Sequence, residues 1–414
     1  MVLIVVAMLG MAALSGAPPE EEWTFECRSQ IYTSPVVAEL DESPGLEILI
    51  ASSSERKLFC LSAKHEVLWT YDQFTLRVTS TPTVAALDGT GFPEILVATR
   101  DDGVLCLGAD GKLRWQCPVP SGIPWGNVVA AKSKNDEHPR LYWVSLAGLV
   151  ECHEAQGESV WMFQIPGRGP EGPLAVGDVN GDGNVEVVTG GGARSVYCLD
   201  RAGNVVWVFE GMAEFNNGPV LADITGDGLP EVFIASRDCL LYCLDGRSGQ
   251  PKWNHRTFRS RVDTSIAVGD LTGDGAPEVV YGDGMGYLYC LDAHGEEVWC
   301  FKADDWIESA PALGDVDGGG KVEVVFGAAD GDLTCLSSGG ELKWSFPTGR
   351  RIAASPTLSD FDRDGTLEIL AASHNGTLYC LNTGSKWEPE KILWPCKRYD
   401  LAQTGTLPTG RTSK

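Results

Sequence analysis

Basic residues are scarce in this 414-residue chain: 32 Lys and Arg stand against 57 Asp and Glu, a formal net charge of -25. Neutralising nucleic-acid phosphates needs the opposite balance, so no nucleic-acid partner is expected. No apolar run of about 18 residues follows the N-terminus, so no membrane span is expected in the mature chain. No stretch holds a helical hydrophobic period. The 13 Cys include no CxxC, which argues against zinc, and their spread along the chain is not that of a small disulfide scaffold. The six His form no spaced metal pair and no motif with a nucleophilic Ser. What is plentiful is Gly, 49 residues, beside 43% hydrophobic residues, enough for a large core and unlike a disordered chain.

Residues Val2 to Leu14 are almost wholly apolar and lead into Ser15, Gly16, Ala17, Pro18, Pro19 and three Glu. This reads as a secretory signal peptide and linker over residues 1–20, although no Lys or Arg precedes the apolar run. A buried apolar strand is the alternative. A secreted, periplasmic or cell-surface location is expected.

One period runs through the rest. Trp recurs at Trp23, Trp69, Trp115, Trp161, Trp207, Trp253, Trp299 and Trp344, in six steps of 46 and one of 45. Cys recurs with it, from Cys60 to Cys380, and Glu recurs from Glu47 to Glu368, with Arg140 filling the third Glu slot. Each unit holds four short β-rich runs, a to d, bounded by Gly, Asp or Pro. Four-stranded units at this period mark propeller blades. Cys380 has no Trp nine or ten residues on, and Trp23 has no Cys before it. The N-terminal strand therefore completes the last blade and closes the ring. An all-β propeller of eight four-stranded antiparallel blades is expected over residues 21–405, with a tail over 406–414. It is expected to be monomeric. A Trp in every blade suits packing between blades better than a single cofactor site. The repeat Cys read as small buried hydrophobes too far apart to bridge. A disulfide among Cys27, Cys117, Cys239, Cys300 and Cys396 stays open.

The chemically specific motif is the a–b turn. It holds Asp178, Asn180, Asp182 and Glu186 in the fourth blade, then Asp223, Thr225, Asp227 and Glu231 in the fifth. Asp270, Thr272, Asp274 and Glu278 follow in the sixth, and Asp315, Asp317 and Glu323 in the seventh. Asp360, Asp362, Asp364 and Glu368 end the series in the eighth. Oxygen ligands at positions 1, 3, 5 and 9 around a tight Gly turn suit Ca²⁺, and Mg²⁺ less well. The alternative is an Asp-Gly hairpin turn with no ion. About four calcium sites are expected, in the fourth, fifth, sixth and eighth blades. Gly319 removes the fifth-position ligand in the seventh, the first two blades are incomplete, and Arg140 replaces the metal charge in the third.

At these residues the chain resembles the FG-GAP or VCBS-type calcium-loop repeat also found in integrin α-subunits. Its Leu-Tyr-Cys-Leu-Asp…Gly…Trp half resembles the PQQ-like propeller repeat. Trp394-Pro-Cys-Lys-Arg398-Tyr-Asp400-Leu-Ala-Gln-Thr404-Gly405 resembles a tail of secreted bacterial proteins of this kind. These likenesses imply the fold and the metal loops and leave function open. Quinone dehydrogenases of this fold carry adjacent Cys; none occurs here, so no quinone is expected.

Propeller connectivity places the acidic a–b loops on one face. The d–a and b–c loops of the other gather Arg residues and aromatics, among them Arg77, Arg168, Arg259, Arg261, Trp306, Arg350 and Arg351. Varied loops on a repeated scaffold suit ligand binding, and Arg with aromatics suits carboxylates or sugars. The alternative is that these Arg are solvated or paired with nearby Asp. The expected function is a non-enzymatic, calcium-binding adhesion or binding module for an anionic glycan or a protein. A polysaccharide lyase, drawing on His255, Arg259 and Arg261, and an envelope assembly scaffold without a quinone are the alternatives.

Overall fold

The computed structural model describes residues 16–89, 91–119, 126–192, 194–258, 260–262, 265–400 and 403–406. The signal-peptide expectation over its first fifteen residues, and Arg259, lie outside them. Eight antiparallel sheets follow one another around an axis. The first blade is built from Val36–Ala38, Glu47–Ser52, Lys57–Leu61 and Val67–Tyr71, and the others repeat its plan. Strands b and c carry consecutive buried residues because both their faces meet neighbouring blades, while strand d alternates as an outer edge does. No helix of the described residues is long and apolar enough to cross a membrane.

The repeated residues join blade to blade. Every repeat Cys is fully buried opposite the Trp of strand d, as Cys60 is to Trp69 and Cys290 to Trp299. The indole reaches the next blade, where its Nε1 donates to a c–d turn carbonyl: Trp69 to Ala109 at 2.9 Å, Trp207 to Gly246 at 2.8 Å and Trp299 to Ser338 at 2.8 Å. Six of the eight indoles lie over a turn Gly that is required twice over. Gly249 and Gly295 have φ of 69° and 81°, and a Cβ there would lie 2.5 and 2.6 Å from Trp207 and Trp253. All 13 Cys are free thiols, so the five outside the repeat form no disulfide.

Closure follows the sequence expectation. Strand Glu20–Glu26 pairs along Thr377–Lys386, setting Trp23 opposite Cys380. Trp23 then stacks on His65 of the first blade, ring centroids 5.2 Å apart. Deleting residues 21–30 should expose that edge and undo the inter-blade contact. Aggregation and a lowered melting temperature are the expected results; a truncated protein that melts unchanged as a monomer would refute shared-blade closure.

The tail supplies what the repeat pattern does not show. After a 3-10 turn at Pro389–Lys391, strand Ile392–Trp394 adds a fifth strand inside the seventh blade, paired with Ala312–Gly314. The chain then crosses the axis. Leu358 N donates to Pro395 O at 2.9 Å, Val176 N to Thr404 O at 3.1 Å and Leu221 N to Gly405 O at 2.7 Å. Trp394 and Arg398 are fully buried. Inner strands ending in Gly make room: a Cβ on Gly177 would lie 2.9 Å from Thr406, and one on Gly314 2.6 Å from Ile392. The propeller's channel is therefore plugged by its own C-terminal segment.

Candidate functional site

Two faces carry the candidate chemistry. On the first, the a–b loops are organised around two carboxylates. The position-1 Asp accepts backbone N–H groups across the turn: Asp178 from Gly181 at 2.7 Å and Gly183 at 2.8 Å, with Asp223 and Asp270 bonded alike. The position-9 Glu is buried in each of these blades. In six blades it accepts the N–H of position 2, as Glu186 does from Val179 at 3.0 Å and Glu278 from Leu271 at 2.8 Å. Glu47, Glu94, Glu231 and Glu323 complete that set.

The residue before each Trp decides what balances that buried Glu. Arg114 pairs with Glu94 in the second blade, and Lys252 with Glu231 in the fifth. Lys343 pairs with Asp317 and, at 2.8 Å, with Glu323 in the seventh. Lys391 adds a contact to Asp315 at 3.1 Å. In the fourth and sixth blades Val206 and Val298 stand there instead. Burial, then Asp182 and Asp178, push the Glu186 carboxyl up to about 7, and burial raises Glu278. In the eighth blade the position holds Glu22, a further acid.

Among the described residues two acidic groups have oxygens close enough to share an ion: Asp315, Asp317 and Glu323, and Asp360, Asp362 and Glu368, each set within 4.8 Å. The grouping differs from the sequence expectation, which favoured the fourth, fifth, sixth and eighth blades and doubted the seventh. In the seventh, lysine ammonium groups already sit among the carboxylates. In the eighth no cation does, because Arg363 turns away to Glu39 at 3.1 Å. Glu368 is buried with both carboxylate oxygens unbonded, and Asp360 Oδ1 is likewise bare. Burial, then Asp362, Asp364, Asp360 and Glu22, push the Glu368 carboxyl up to about 9. This donor set fits a divalent cation.

If lysine stands in for an ion in the seventh blade, Lys343→Met should leave Glu323 buried without its counter-charge. Removing one partner of a buried pair costs about 3–5 kcal/mol. The expected result is a lowered melting temperature in chelator that millimolar Ca²⁺ restores. Unchanged melting in both conditions would overturn the substitution of lysine for metal.

On the opposite face a funnel of about 300 Å³ opens on the axis. Its lining includes Trp306, Glu308, Arg261 and Arg237 from the blades and Lys397 from the tail. Arg351 clasps Glu308, its Nε at 2.8 Å, and lies 4.7 Å above the Trp306 ring, with Arg261 at 5.8 Å. Across the mouth Glu171 takes Arg168 at 3.0 Å and Arg237 at 3.9 Å. Thus Arg261, Trp306 and Arg351 of the expected ligand set come together, and Arg168 joins from outside. Arg77 and Arg350 are exposed on the same side and do not line the funnel. His255 is not at the funnel either: its Nδ1 meets the Tyr281 hydroxyl at 2.6 Å, and its ring packs 5.3 Å from Tyr289. Lys397 escaped the sequence reading because only the tail's return across the axis delivers it.

Residues 195–395 match the family model described as outer membrane protein assembly factor BamB. The matched stretch runs from the fourth blade into the tail strand, and it supports the PQQ-like part of the resemblance. No curated protein matches the chain. Among solved structures, BamB from Moraxella catarrhalis is similar at 18% identity and a TM-score of 0.60, over 87% of this chain and 96% of that one. The V. cholerae biofilm matrix protein Bap1 is similar at 13% identity and a TM-score of 0.68, over 95% and 96%. Quinohemoprotein alcohol dehydrogenase from Comamonas testosteroni is similar at 14% identity and a TM-score of 0.61, over 89% and 77%. At these identities the likeness is one of fold.

Proposed function

We propose that the chain is a non-enzymatic binding propeller, working outside the cytoplasm, that takes an anionic protein or glycan ligand on its arginine face and holds calcium on the other. The observation that carries the proposal is the plugged axis. The tail fills the channel and leaves a cationic and aromatic funnel on a rigid ring, where loops that vary from blade to blade can specify a ligand. The bare carboxylates of the eighth blade support the calcium part. No quinone is part of this proposal. The lyase alternative needs a base beside Arg261, and His255 is engaged by Tyr281 instead.

A second reading, an envelope assembly scaffold, is favoured by the match of residues 195–395 to the BamB family model. One screen separates the readings. The intact protein is tested against acidic glycans, with an assay for unsaturated products, and in parallel for partners that co-purify from envelope extracts. Binding without product supports the binding propeller. Unsaturated product would replace it with the lyase, and specific capture of envelope assembly proteins with no glycan bound would replace it with the scaffold.

A further inference from the structure

We infer that the funnel is a carboxylate-binding subsite anchored by Lys397 Nζ, built to take an extended acidic peptide of a partner protein. This rests on the binding-propeller reading and names the ligand chemistry of its site.

The charges inside the funnel are unequally occupied. Glu308 is held by Arg351, and Glu171 by Arg168 and Arg237. Lys397 alone of the lining cations comes from the tail rather than from a blade loop. Among the described residues it makes no hydrogen bond and no ion pair within bonding distance; its nearest charged influences are Arg398, which opposes its charge, and Glu308, which favours it. Burial and Arg398 push its ammonium down to about 8. A cation so placed gains most from a carboxylate that enters the cavity, since charge-assisted hydrogen bonds are the strong ones.

Peptide is favoured over sugar by the state of the aromatic rings. Sugars are gripped on open aromatic faces. Here the Trp306 face lies under Arg351, and Tyr32 packs on His374 with centroids 4.3 Å apart. The rest of the lining is polar, with Ser236, Ser265, Ser355, Asn216 and Asn217, although Ser355 Oγ already accepts from Ala310 N at 2.9 Å and the Asn217 amide donates to Val262 O. Such a lining serves a peptide backbone carrying carboxylates. Trp306 Nε1 and His374 Nε2, both buried without partners, add polar groups beside the cavity.

The test uses a fluorescein-labelled hexaglutamate peptide, its hexaglutamine counterpart, and an oligogalacturonate of matched charge, against the full chain and Lys397→Met. Hexaglutamate should bind the full chain, hexaglutamine should not, and Lys397→Met should weaken binding at least tenfold while Lys64→Ala, on an exposed c–d turn of the opposite face, leaves it unchanged. A second measurement needs no variant. Lys397 should be modified early by an amine-reactive ester at pH 8 and be protected by hexaglutamate, as read by mass spectrometry. Equal affinity of Lys397→Met, or no protection of Lys397, overturns the anchor while the binding-propeller reading stands. Tighter binding of oligogalacturonate than of hexaglutamate overturns the peptide assignment. Failure of every anionic probe to bind the full chain overturns the binding-propeller reading itself, and this inference with it.

Discussion

Trp394→Ala is expected to cost about 3–5 kcal/mol of folding stability, as deleting a fully buried aromatic side chain does. The ring sits where strand Ile392–Trp394 meets the seventh blade, and it packs edge-on against Tyr399 with centroids 5.4 Å apart. Arg398→Ala should cost a similar amount for a different reason. Its guanidinium donates to Leu174 O at 2.6 Å, Gln403 O at 3.2 Å and Thr404 O at 3.4 Å, so it ties the fourth blade to the far end of the tail. Hydrogen bonds from a charged group contribute about 1.5–3 kcal/mol each. Gly218 and Gly405 line this arginine so closely that a Cβ on Gly218 would lie 2.6 Å from Nη1. Arg398→Met keeps most of the volume and removes the donors; a loss equal to that of Arg398→Ala would assign the effect to hydrogen bonding. Urea unfolding of the three variants is the measurement. A loss below about 1 kcal/mol in both Trp394→Ala and Arg398→Ala would mean that the plug lies in the channel without holding the ring.

The ring was legible in the sequence because three residue types keep one period for physical reasons. Trp bridges blades, Cys fills the small space opposite it, and Glu closes the a–b turn. The plug was not legible. Its strand is three residues long and sits after the last repeat, where no periodicity is left to read. A signal existed all the same. The inner strands end in Ala38, Ala85, Ala131, Ala222 and Ser359, but in Gly177, Gly269 and Gly314 where tail side chains come so close that a Cβ would clash; the tail also bonds the fifth and eighth inner strands, through Leu221 and Leu358, without a Gly there. A strand Gly marks a close backbone approach, and these three lie in the fourth, sixth and seventh blades. The Gly turns are legible in the sequence as candidate calcium loops, yet motif completeness does not show which of them bring their acids together. That depends on strand d, whose Arg114, Lys252 and Lys343 stand 20, 21 and 20 residues after Glu94, Glu231 and Glu323, or, for the eighth blade, at the other end of the chain. Arg114, Lys252 and Lys343 supply the charge that an ion would supply, while Glu22 increases the need for one.

That contrast leads to the sharpest expectation for calcium. Of the position-9 carboxylates, Glu368 has neither the backbone N–H that its counterparts accept nor a lysine, and both its oxygens are bare. Millimolar Ca²⁺ should bind there with Asp360 and Asp362, and stabilise the folded chain by about 2.7 kcal/mol at a hundredfold excess over Kd. The site spans the closing blade, and Glu22 on the N-terminal strand also feels its charge, so the ion should oppose opening of the ring at its seam. Without the ion the folded Glu368 carboxyl holds its proton more tightly than the unfolded one. Stability in chelator should therefore fall as pH rises from about 4.5 towards 9, and added Ca²⁺ should remove most of that slope by displacing the proton. Glu368→Gln should do two opposite things: raise the melting temperature in chelator, by removing a buried acid that has no partner, and abolish most of the response to Ca²⁺. Lys343→Met should lower stability in chelator, so the two substitutions move the ion-free protein in opposite directions. Calorimetric melting of wild type and Glu368→Gln, in chelator and in millimolar Ca²⁺ at pH 5 and 7, checks each of these expectations. A wild type indifferent to Ca²⁺ at pH 7, or a Glu368→Gln protein that still responds fully, would leave the eighth-blade loop as an acidic turn with no ion.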